Sequence, residues 1–161
     1  MEKHELKPIK SLHDALEVRI IRNDCRLFMT NYTLEISPSQ QQKWYTEIYK
    51  NENKKGNMTC FIFKYNNQNA GFGLIRKASG KYWITGGLMS SQRGKGLGIV
   101  LFQDIVKSTP SKEIWLEVLD TNPAAKKIYE TLDFKKVKET EVNGKRVIIM
   151  KLEKAAKDEK I

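Results

Sequence analysis

The sequence predicts one α/β (α+β) domain in which a central mixed, mostly antiparallel sheet is flanked by helices. The chain has 161 residues, 40% of them hydrophobic and 30% charged, which is typical of a single soluble domain with its own core. Three β-rich segments joined by short polar turns indicate an antiparallel meander. A helix, a strand, a second helix and a hairpin follow, which is the order expected of a mixed sheet covered by helices.

The N-terminal part of the chain is predicted to be helical. Apolar residues near helical spacing predict a first helix over residues 12–29, with a break near residues 22–23. The segment Ser37-Pro38-Ser39-Gln40 predicts the start of a second helix, because Ser37 and Gln40 suit a capping box and Pro38 suits the first helical position. This helix is expected to run through Trp44 into the polar stretch 51–56.

The rest of the chain divides into strands, helices and turns. The predicted strands cover residues 59–65, 70–76, 81–89, 114–119, 134–139 and 147–152. The predicted helices cover residues 96–107 and 122–132, and Asn143-Gly144 predicts a tight turn. We expect one domain over residues 1–152 and a charged C-terminal tail over residues 153–161.

Composition limits the classes of function. The net charge of +10 comes from lysines spread along the chain, so solubility explains it better than a nucleic-acid interface, and nucleic acid is not an expected partner. The polar N-terminus resembles no signal peptide, and no apolar run is long enough to span a bilayer. Cys25 and Cys60 are far apart and form no metal-ligand pair. We expect a cytoplasmic protein without metal or membrane, either monomer or homodimer.

A glycine-rich loop, Arg93-Gly94-Lys95-Gly96-Leu97-Gly98, follows a predicted strand and opens a predicted helix. Glycines let the backbone approach a phosphate, helix N-termini attract anions, and Arg93 and Lys95 add positive charge. The loop lacks the ending of a P-loop, and its third glycine is misplaced for a dinucleotide fingerprint. The pattern therefore favours an anionic diphosphate, and a turn without a ligand is the alternative.

The pattern Arg93-x-x-Gly96-x-Gly98 resembles the Arg/Gln-x-x-Gly-x-Gly/Ala signature of the GNAT acetyltransferase superfamily. The resemblance implies a GNAT-like fold in which the backbone of Arg93, Gly94, Lys95, Gly96, Leu97 and Gly98 binds the pyrophosphate of acetyl-CoA. It also implies that the preceding strand end, with Leu88 and Met89, is splayed by a bulge and pairs with the pantetheine arm.

A second block, from Ile114 to Phe134, agrees with the first. It is similar to the family pattern in which Asn122 begins a helix beside CoA, Ala125 faces the cofactor and Tyr129 lies near the sulfur. The block is most similar to ribosomal-protein alanine N-acetyltransferases, which implies Glu117 as base and Tyr129 as acid. Asp133 replaces the usual glycine before Phe134, and Asp tolerates the left-handed conformation that a helix stop prefers.

The residues themselves leave alternatives open. Strand alternation puts Trp115 and Glu117 on one face, so Glu117 either enters a cavity or is a solvated surface carboxylate. Tyr129 is either a proton donor to the departing thiolate or a core tyrosine. The amide of Met89 is a candidate donor to the tetrahedral oxyanion.

These observations predict an N-acetyltransferase that moves the acetyl group of acetyl-CoA, as cosubstrate, to a primary amine by direct attack. A non-catalytic CoA-binding or nucleic-acid-associated module is the alternative. The amine-bearing acceptor, small molecule or protein, stays open among a protein N-terminus, an amino sugar, a lysine and a small amine. Residues 22–44 of the N-terminal half faintly resemble family branches that act on protein N-termini and on nucleotide-linked amino sugars.

Overall fold

The structure, a computed structural model, describes residues 3–30 and 33–155. Its sheet has seven strands in the order β1-β2-β3-β4-β5-β7-β6, and β4 and β5 form the one parallel pair among the described strands. The strands are β1 (His4–Pro8), β2 (Met58–Tyr65), β3 (Gln68–Ala78), β4 (Lys81–Leu88), β5 (Glu113–Leu119), β6 (Lys135–Val142) and β7 (Lys145–Glu153). The predicted mixed, mostly antiparallel sheet is confirmed.

Helices cover both faces of this sheet. They are α1 (Leu12–Asp24), α2 (Pro38–Trp44), α3 (Lys50–Lys54), α4 (Leu97–Ser108) and α5 (Pro123–Thr131), with 3₁₀ turns at Arg26–Phe28 and Ser90–Gln92 and a π-helical segment, Tyr45–Tyr49, joining α2 to α3. One core lies under α4 and α5, where Leu101 and Ile105 are fully buried. A second core lies under α1 and the π-helical segment, around Ala15 and Ile21.

The N-terminal strand β1 is absent from the sequence prediction. It pairs antiparallel with β2 at the edge of the sheet, with Leu6 opposite Phe63, and Leu6 is its one half-buried residue. A short polar edge strand carries too little hydrophobic alternation to be predicted from sequence. His4 fastens the strand to α4, because its Nδ1 lies 2.7 Å from Oδ2 of Asp104.

The first helix ends close to the break predicted near residues 22–23 and does not continue as a helix to residue 29. α1 stops at Asp24, and a 3₁₀ turn follows it in place of the helix that the spacing predicts as far as Met29. Leu27 belongs to that apolar spacing, but its side chain is 67% exposed. The periodicity therefore included a residue that does not face the core.

The predicted start of α2 is confirmed as a capping box. The Ser37 hydroxyl accepts a hydrogen bond from the Gln40 amide at 3.1 Å, and the Gln40 side chain accepts one from the Ser37 amide at 2.7 Å. Asn23 on α1 holds the preceding residue through both its amide atoms, accepting from Ile36 N at 2.8 Å and donating to Ile36 O at 3.0 Å. The two N-terminal helices are thus fixed to each other by polar contacts.

The predicted tight turns are confirmed by left-handed backbone at Asn143 and Gly144, with φ values of 50° and 78°. Asp133 has a φ of 75°, so it takes the left-handed position predicted for it after α5. The predicted tail begins inside a strand, because β7 includes Glu153. Its end, residues 156–161, lies outside the described residues.

Candidate active site

The sheet opens between β4 and β5. The two strands pair at Tyr82↔Ile114 and Trp83↔Trp115 and then separate, while β4 stays paired with β3 as far as Leu88. Because each strand follows its outer partner, sheet twist carries the two halves apart. The predicted splay is confirmed, but the β3–β4 register is regular throughout, so no bulge in β4 produces it.

A cavity of about 830 Å³ occupies this opening, and we call it the central cavity. It extends from the start of α4 and the face of α5, past the free edges of β4 and β5, to α1, α2 and the 3₁₀ turn between them. Edge atoms of β4 that would bond a neighbouring strand are therefore available to a ligand that enters the cavity.

The glycine loop, residues 93–98, forms one end of the central cavity. Gly94 and Gly96 have φ values of 77° and 76°, and a Cβ at either position would meet no atom within 4 Å, so backbone conformation and not crowding requires glycine. Gly98 differs, because its Cβ would lie 2.7 Å from Cδ1 of Ile128 on α5. No described side chain caps α4, which leaves its first amides open to an anion.

The side chain of Arg93 makes its contacts within the protein. Its guanidinium donates to the backbone oxygens of Leu88 at 3.2 Å and Asp24 at 3.4 Å, and it lies 4.7 Å from the ring centre of Phe28. Asp24 in turn accepts hydrogen bonds from the amide and hydroxyl of Ser90. Arg93 therefore attaches the glycine loop to α1, and the expectation that its charge faces phosphate stays a prediction.

Lys95 and Met89 stand apart from the other predicted cofactor residues. Neither lines the central cavity, whereas Leu88, Arg93, Asn122 and the rest of the predicted set do. Nζ of Lys95 lies 3.4 Å from Oε1 of Gln92. The Met89 side chain packs in the core under α1.

The edge of β4 presents a different amide from the one the sequence suggested. The Met89 amide donates to Ala70 O at 2.9 Å, so it points toward β3. Because successive amides of a strand point in opposite directions, the Leu88 amide points toward the opening. The Met89 amide suggested by the sequence therefore points away from the opening, and the amide that faces it belongs to Leu88, which lines the central cavity.

Glu117 lies on the cavity side of β5. Its neighbours Leu116 and Val118 are buried in the core under α4, so strand alternation turns Glu117 to the opposite face. Glu117 is half-buried, and its carboxylate makes no hydrogen bond or ion pair with any residue that the structure describes. It is the one carboxylate among the described lining residues. A solvated surface role is therefore disfavoured.

Tyr129 contributes a buried phenol to the same cavity. Its ring packs edge-on against Phe102 at 4.9 Å and against Phe134 at 6.0 Å between centroids. Within the described residues its hydroxyl makes no hydrogen bond, and burial raises the pKa of Tyr129 well above its ordinary value. The side chain is therefore a neutral phenol that keeps its proton at neutral pH.

The helix that carries Tyr129 begins at Asn122, whose Oδ1 accepts a hydrogen bond from the Ala125 amide at 3.2 Å. Pro123 occupies the first helical position, where its missing N–H costs nothing. Asn122, Ala125 and Tyr129 all line the central cavity. The spacing of this motif thus brings three predicted site residues to one surface.

The far end of the central cavity contains residues that the sequence prediction missed. Arg76 on β3 and Trp83 and Thr85 on β4 line it, and Arg22 on α1 also lines the cavity. Strand alternation from buried Phe72 would have placed Arg76 on this face, but nothing in the sequence showed that the face borders a cavity. Among the described residues, no group of three or more His, Cys, Asp or Glu side chains is arranged to hold a metal ion.

Solved structures share this fold at low sequence identity. The chain is similar to AAC(6')-Ib in complex with ribostamycin and coenzyme A, at 18% identity and a TM-score of 0.77, covering 99% of this chain and 97% of that one. It is also similar to spermidine N-acetyltransferase from Vibrio cholerae in complex with CoA and spermine, at 16% identity and a TM-score of 0.77, covering 94% of this chain and 95% of that one. A third similar structure is RimL, a ribosomal L7/L12 alpha-N-protein acetyltransferase in complex with coenzyme A, at 12% identity and a TM-score of 0.74. The match covers 94% of this chain and 94% of that one.

No curated protein sequence matches the chain. None of the described helices is both long enough and apolar enough to cross a membrane.

The sequence matches a family model directly. The model of the acetyltransferase (GNAT) domain matches residues 32–154, about three quarters of the chain. The chain therefore belongs to the GNAT acetyltransferase family, and its enzyme class is that of an acetyl-CoA-dependent acyltransferase.

Proposed function

We propose that this protein transfers the acetyl group of acetyl-CoA to the nitrogen of a primary amine by direct attack. The observation that carries the proposal is that Glu117, Tyr129 and the glycine loop line one cavity at the opening of the sheet. The named acceptors or ligands of the similar structures, ribostamycin, spermine and a ribosomal-protein N-terminus, support an amine as acceptor here.

The residues present suit acetyl-CoA as the cosubstrate. The open amides at the start of α4, beside Gly94 and Gly96, suit a pyrophosphate. The free edge of β4 offers N–H and C=O groups that can form hydrogen bonds with the amide groups of a pantetheine arm. Asn122 and Ala125 complete the wall on the α5 side. Arg93 acts in this proposal by holding the loop in place.

The chemistry assigned to Glu117 is acceptance of the proton that the amine must lose. An alkyl amine has a pKa of about 10 and is mostly protonated at pH 7, so attack requires a base. Glu117 takes that proton directly or through a water molecule. The free nitrogen lone pair then forms a bond to the thioester carbonyl carbon, and the Leu88 amide donates to the oxygen that becomes negative.

The chemistry assigned to Tyr129 is donation of a proton to the leaving sulfur. As the carbon–sulfur bond breaks, the electron pair stays on sulfur, and the phenol of Tyr129 protonates it. The second amine proton passes to solvent, Glu117 releases to solvent the proton that it took, and solvent reprotonates Tyr129. The products are the N-acetyl amide, CoA thiol and one proton, so the step is balanced.

Two broader proposals accompany the reaction. We infer that residues 1–152 act as one catalytic domain and that residues 153–161 take no part in the site. The buried thiols of Cys25 and Cys60 fit a reducing compartment such as the cytoplasm.

Thiol release from acetyl-CoA by the full chain tests the proposed function. The acceptors are a peptide with a free N-terminus, glucosamine, lysine and spermidine, with coenzyme A binding measured separately by calorimetry. Amine-dependent release that falls in Glu117→Gln and in Tyr129→Phe supports the proposal. CoA binding with no release for any amine would instead indicate a non-catalytic CoA-binding module.

A further inference from the structure

The end of the central cavity away from the glycine loop is lined by side chains from three neighbouring strands, β3, β4 and β5. We call it the acceptor end and define it by Arg76, Trp83, Thr85 and Glu117. Arg76 pairs across β3 and β4 with Trp83, and Trp83 pairs across β4 and β5 with Trp115, two residues before Glu117. These positions share one face of the sheet, with Arg76 on one side of Trp83 and Glu117 on the other.

The spacing of Arg76 and Glu117 sets the size of a molecule that can contact both. Two strand spacings of about 4.8 Å and one two-residue step of about 6.6 Å put about 12 Å between their backbone positions. Both residues line the central cavity. A compact molecule of amino-acid or sugar-phosphate size can therefore contact both groups.

The charge of Arg76 is unused in the described protein. Arg76 is half-buried and makes no hydrogen bond or ion pair with any residue that the structure describes. A partly desolvated cation gains most from an anion that offers hydrogen-bond acceptors, and guanidinium geometry suits phosphate and carboxylate in particular.

The whole lining carries more positive than negative charge. The described lining residues include three arginines, Arg22, Arg76 and Arg93, of which Arg93 is held by Leu88 and Asp24, and one carboxylate, that of Glu117. A polycationic acceptor would meet like charge at Arg76, with one carboxylate to offset it. The balance of charge favours an acceptor that brings its own negative group.

We propose that the acceptor amine carries an anionic group, a phosphate or a carboxylate, which binds to Arg76 while the amine lies at Glu117. The carbon skeleton between the two groups lies against Trp83. This inference rests on the proposed function and deepens it, because it names the chemical class of the acceptor. Arg76 is then a specificity residue that sits away from the reacting atoms.

Matched pairs of acceptors test the inference with the full chain at saturating acetyl-CoA. The phosphate arm compares glucosamine 6-phosphate with glucosamine, and the carboxylate arm compares phenylalanine with phenethylamine. In at least one arm we expect kcat/KM to be about tenfold or more higher for the anionic member, as expected for a hydrogen bond to a charged group. The arm that responds distinguishes phosphate from carboxylate.

Two variants assign the preference to Arg76. Arg76→Gln should remove the preference by raising KM for the anionic member while leaving kcat and turnover of the neutral member nearly unchanged. Arg76→Lys keeps the charge and should retain most of the preference. Quenching of tryptophan fluorescence on adding each amine to the CoA-saturated protein measures the same preference without turnover.

The outcomes separate this inference from the proposed function. Equal kcat/KM or equal binding within both pairs overturns the anionic acceptor and leaves the acetyltransferase intact. A preference that survives in Arg76→Gln also overturns it. Anion-selective binding without thiol release for any amine supports the Arg76 site and counts against the proposed reaction.

Discussion

At the scale of single residues, Glu117 is the group on which the proposed chemistry most depends. Replacing Glu117 by Gln keeps the shape of the side chain and removes the base, so kcat/KM should fall about a hundredfold at pH 7. The defect should shrink toward pH 10, because the amine then loses its proton to solvent. Steady-state rates of thiol release from pH 6.5 to pH 10 measure both effects.

The control for Glu117→Gln is Glu139→Gln. Glu139 is an exposed carboxylate on β6 that contacts Lys136 and lies outside the central cavity. This change should leave the rates within about twofold at every pH. A Glu117→Gln defect of the same size at pH 7 and pH 10 would contradict a role in deprotonating the amine.

Tyr129 gives the second prediction at this scale. Tyr129→Phe should lower kcat about a hundredfold and leave KM for acetyl-CoA nearly unchanged, because the phenol acts on the leaving sulfur. Burial raises the pKa of Tyr129, so the phenol stays protonated through and beyond the pH where an exposed tyrosine ionises. Wild-type kcat should therefore show no loss up to about pH 10 that depends on this group.

Tyr45→Phe is the matched control for Tyr129→Phe. Tyr45 is also buried and stacks on Tyr49, but it does not line the central cavity. Turnover in Tyr45→Phe should stay near the wild-type value. Equal losses in the two variants would mean that removal of a buried hydroxyl, and not proton donation, explains the effect.

Some residues that line the candidate site were predictable from sequence and others were not, for physical reasons. Gly94, Gly96 and Asn122 were predictable because left-handed backbone and helix capping restrict the residue type. The choice between the amides of Leu88 and Met89 was not, because a one-residue change of register reverses every amide in a strand. The side-chain contacts of Arg93 depend on α1, which lies 69 residues away from it along the chain.

At the scale of elements, the glycine loop and α1 are connected by a small polar cluster. Asp24 at the end of α1 accepts hydrogen bonds from the amide and hydroxyl of Ser90, and the Arg93 guanidinium donates to Asp24 O. The Ser90 amide is the main reason that the pKa of Asp24 lies below its ordinary value. The carboxylate is therefore ionised across the neutral range, and the contact weakens as pH falls through this lowered pKa.

Loss of this connection should loosen the cofactor loop. Asp24→Ala removes both acceptors of Ser90, and we expect KM for acetyl-CoA to rise about fivefold because the loop is less preorganised. Ser90→Ala removes the hydroxyl contact and keeps the amide contact, so its KM should rise less. Titration of each variant with CoA by calorimetry checks the order, and equal affinity in Asp24→Ala and wild type would refute the connection.

Elements differ in how far sequence determines them. The turns at Asn143-Gly144 and Asp133 were predictable because few residues accept a positive φ. The strand β1 was not, since its place at the sheet edge depends on pairing with β2 and on the His4–Asp104 contact. Local conformational demands are thus visible in the sequence, and pairing with distant segments is not.

At the scale of the whole molecule, the core under α1 contains buried groups that must stay neutral. Burial raises the pKa of Cys25 to about 11, that of Cys60 to about 12 and that of Tyr49 to about 12. Each of these groups keeps its proton in the folded protein at a pH where the unfolded chain releases it. All three belong to the same core.

This arrangement predicts a loss of stability in alkaline solution. Groups with raised pKa values stabilise the fold fully below their unfolded pKa, about 8.5 for cysteine and 10 for tyrosine, and this contribution is lost as pH rises toward the folded values. Between pH 8 and pH 10 the two cysteines should lower the free energy of unfolding by about 4 kcal/mol, or Tm by about 8–16 °C. Thermal unfolding followed by circular dichroism across this range, under reducing conditions, measures the change.

The control is the double variant Cys25→Ala with Cys60→Ala. It should be less stable than the wild type at pH 7, but its stability should be nearly independent of pH up to about pH 10. An equal decline in the variant and the wild type would show that the thiols do not cause it.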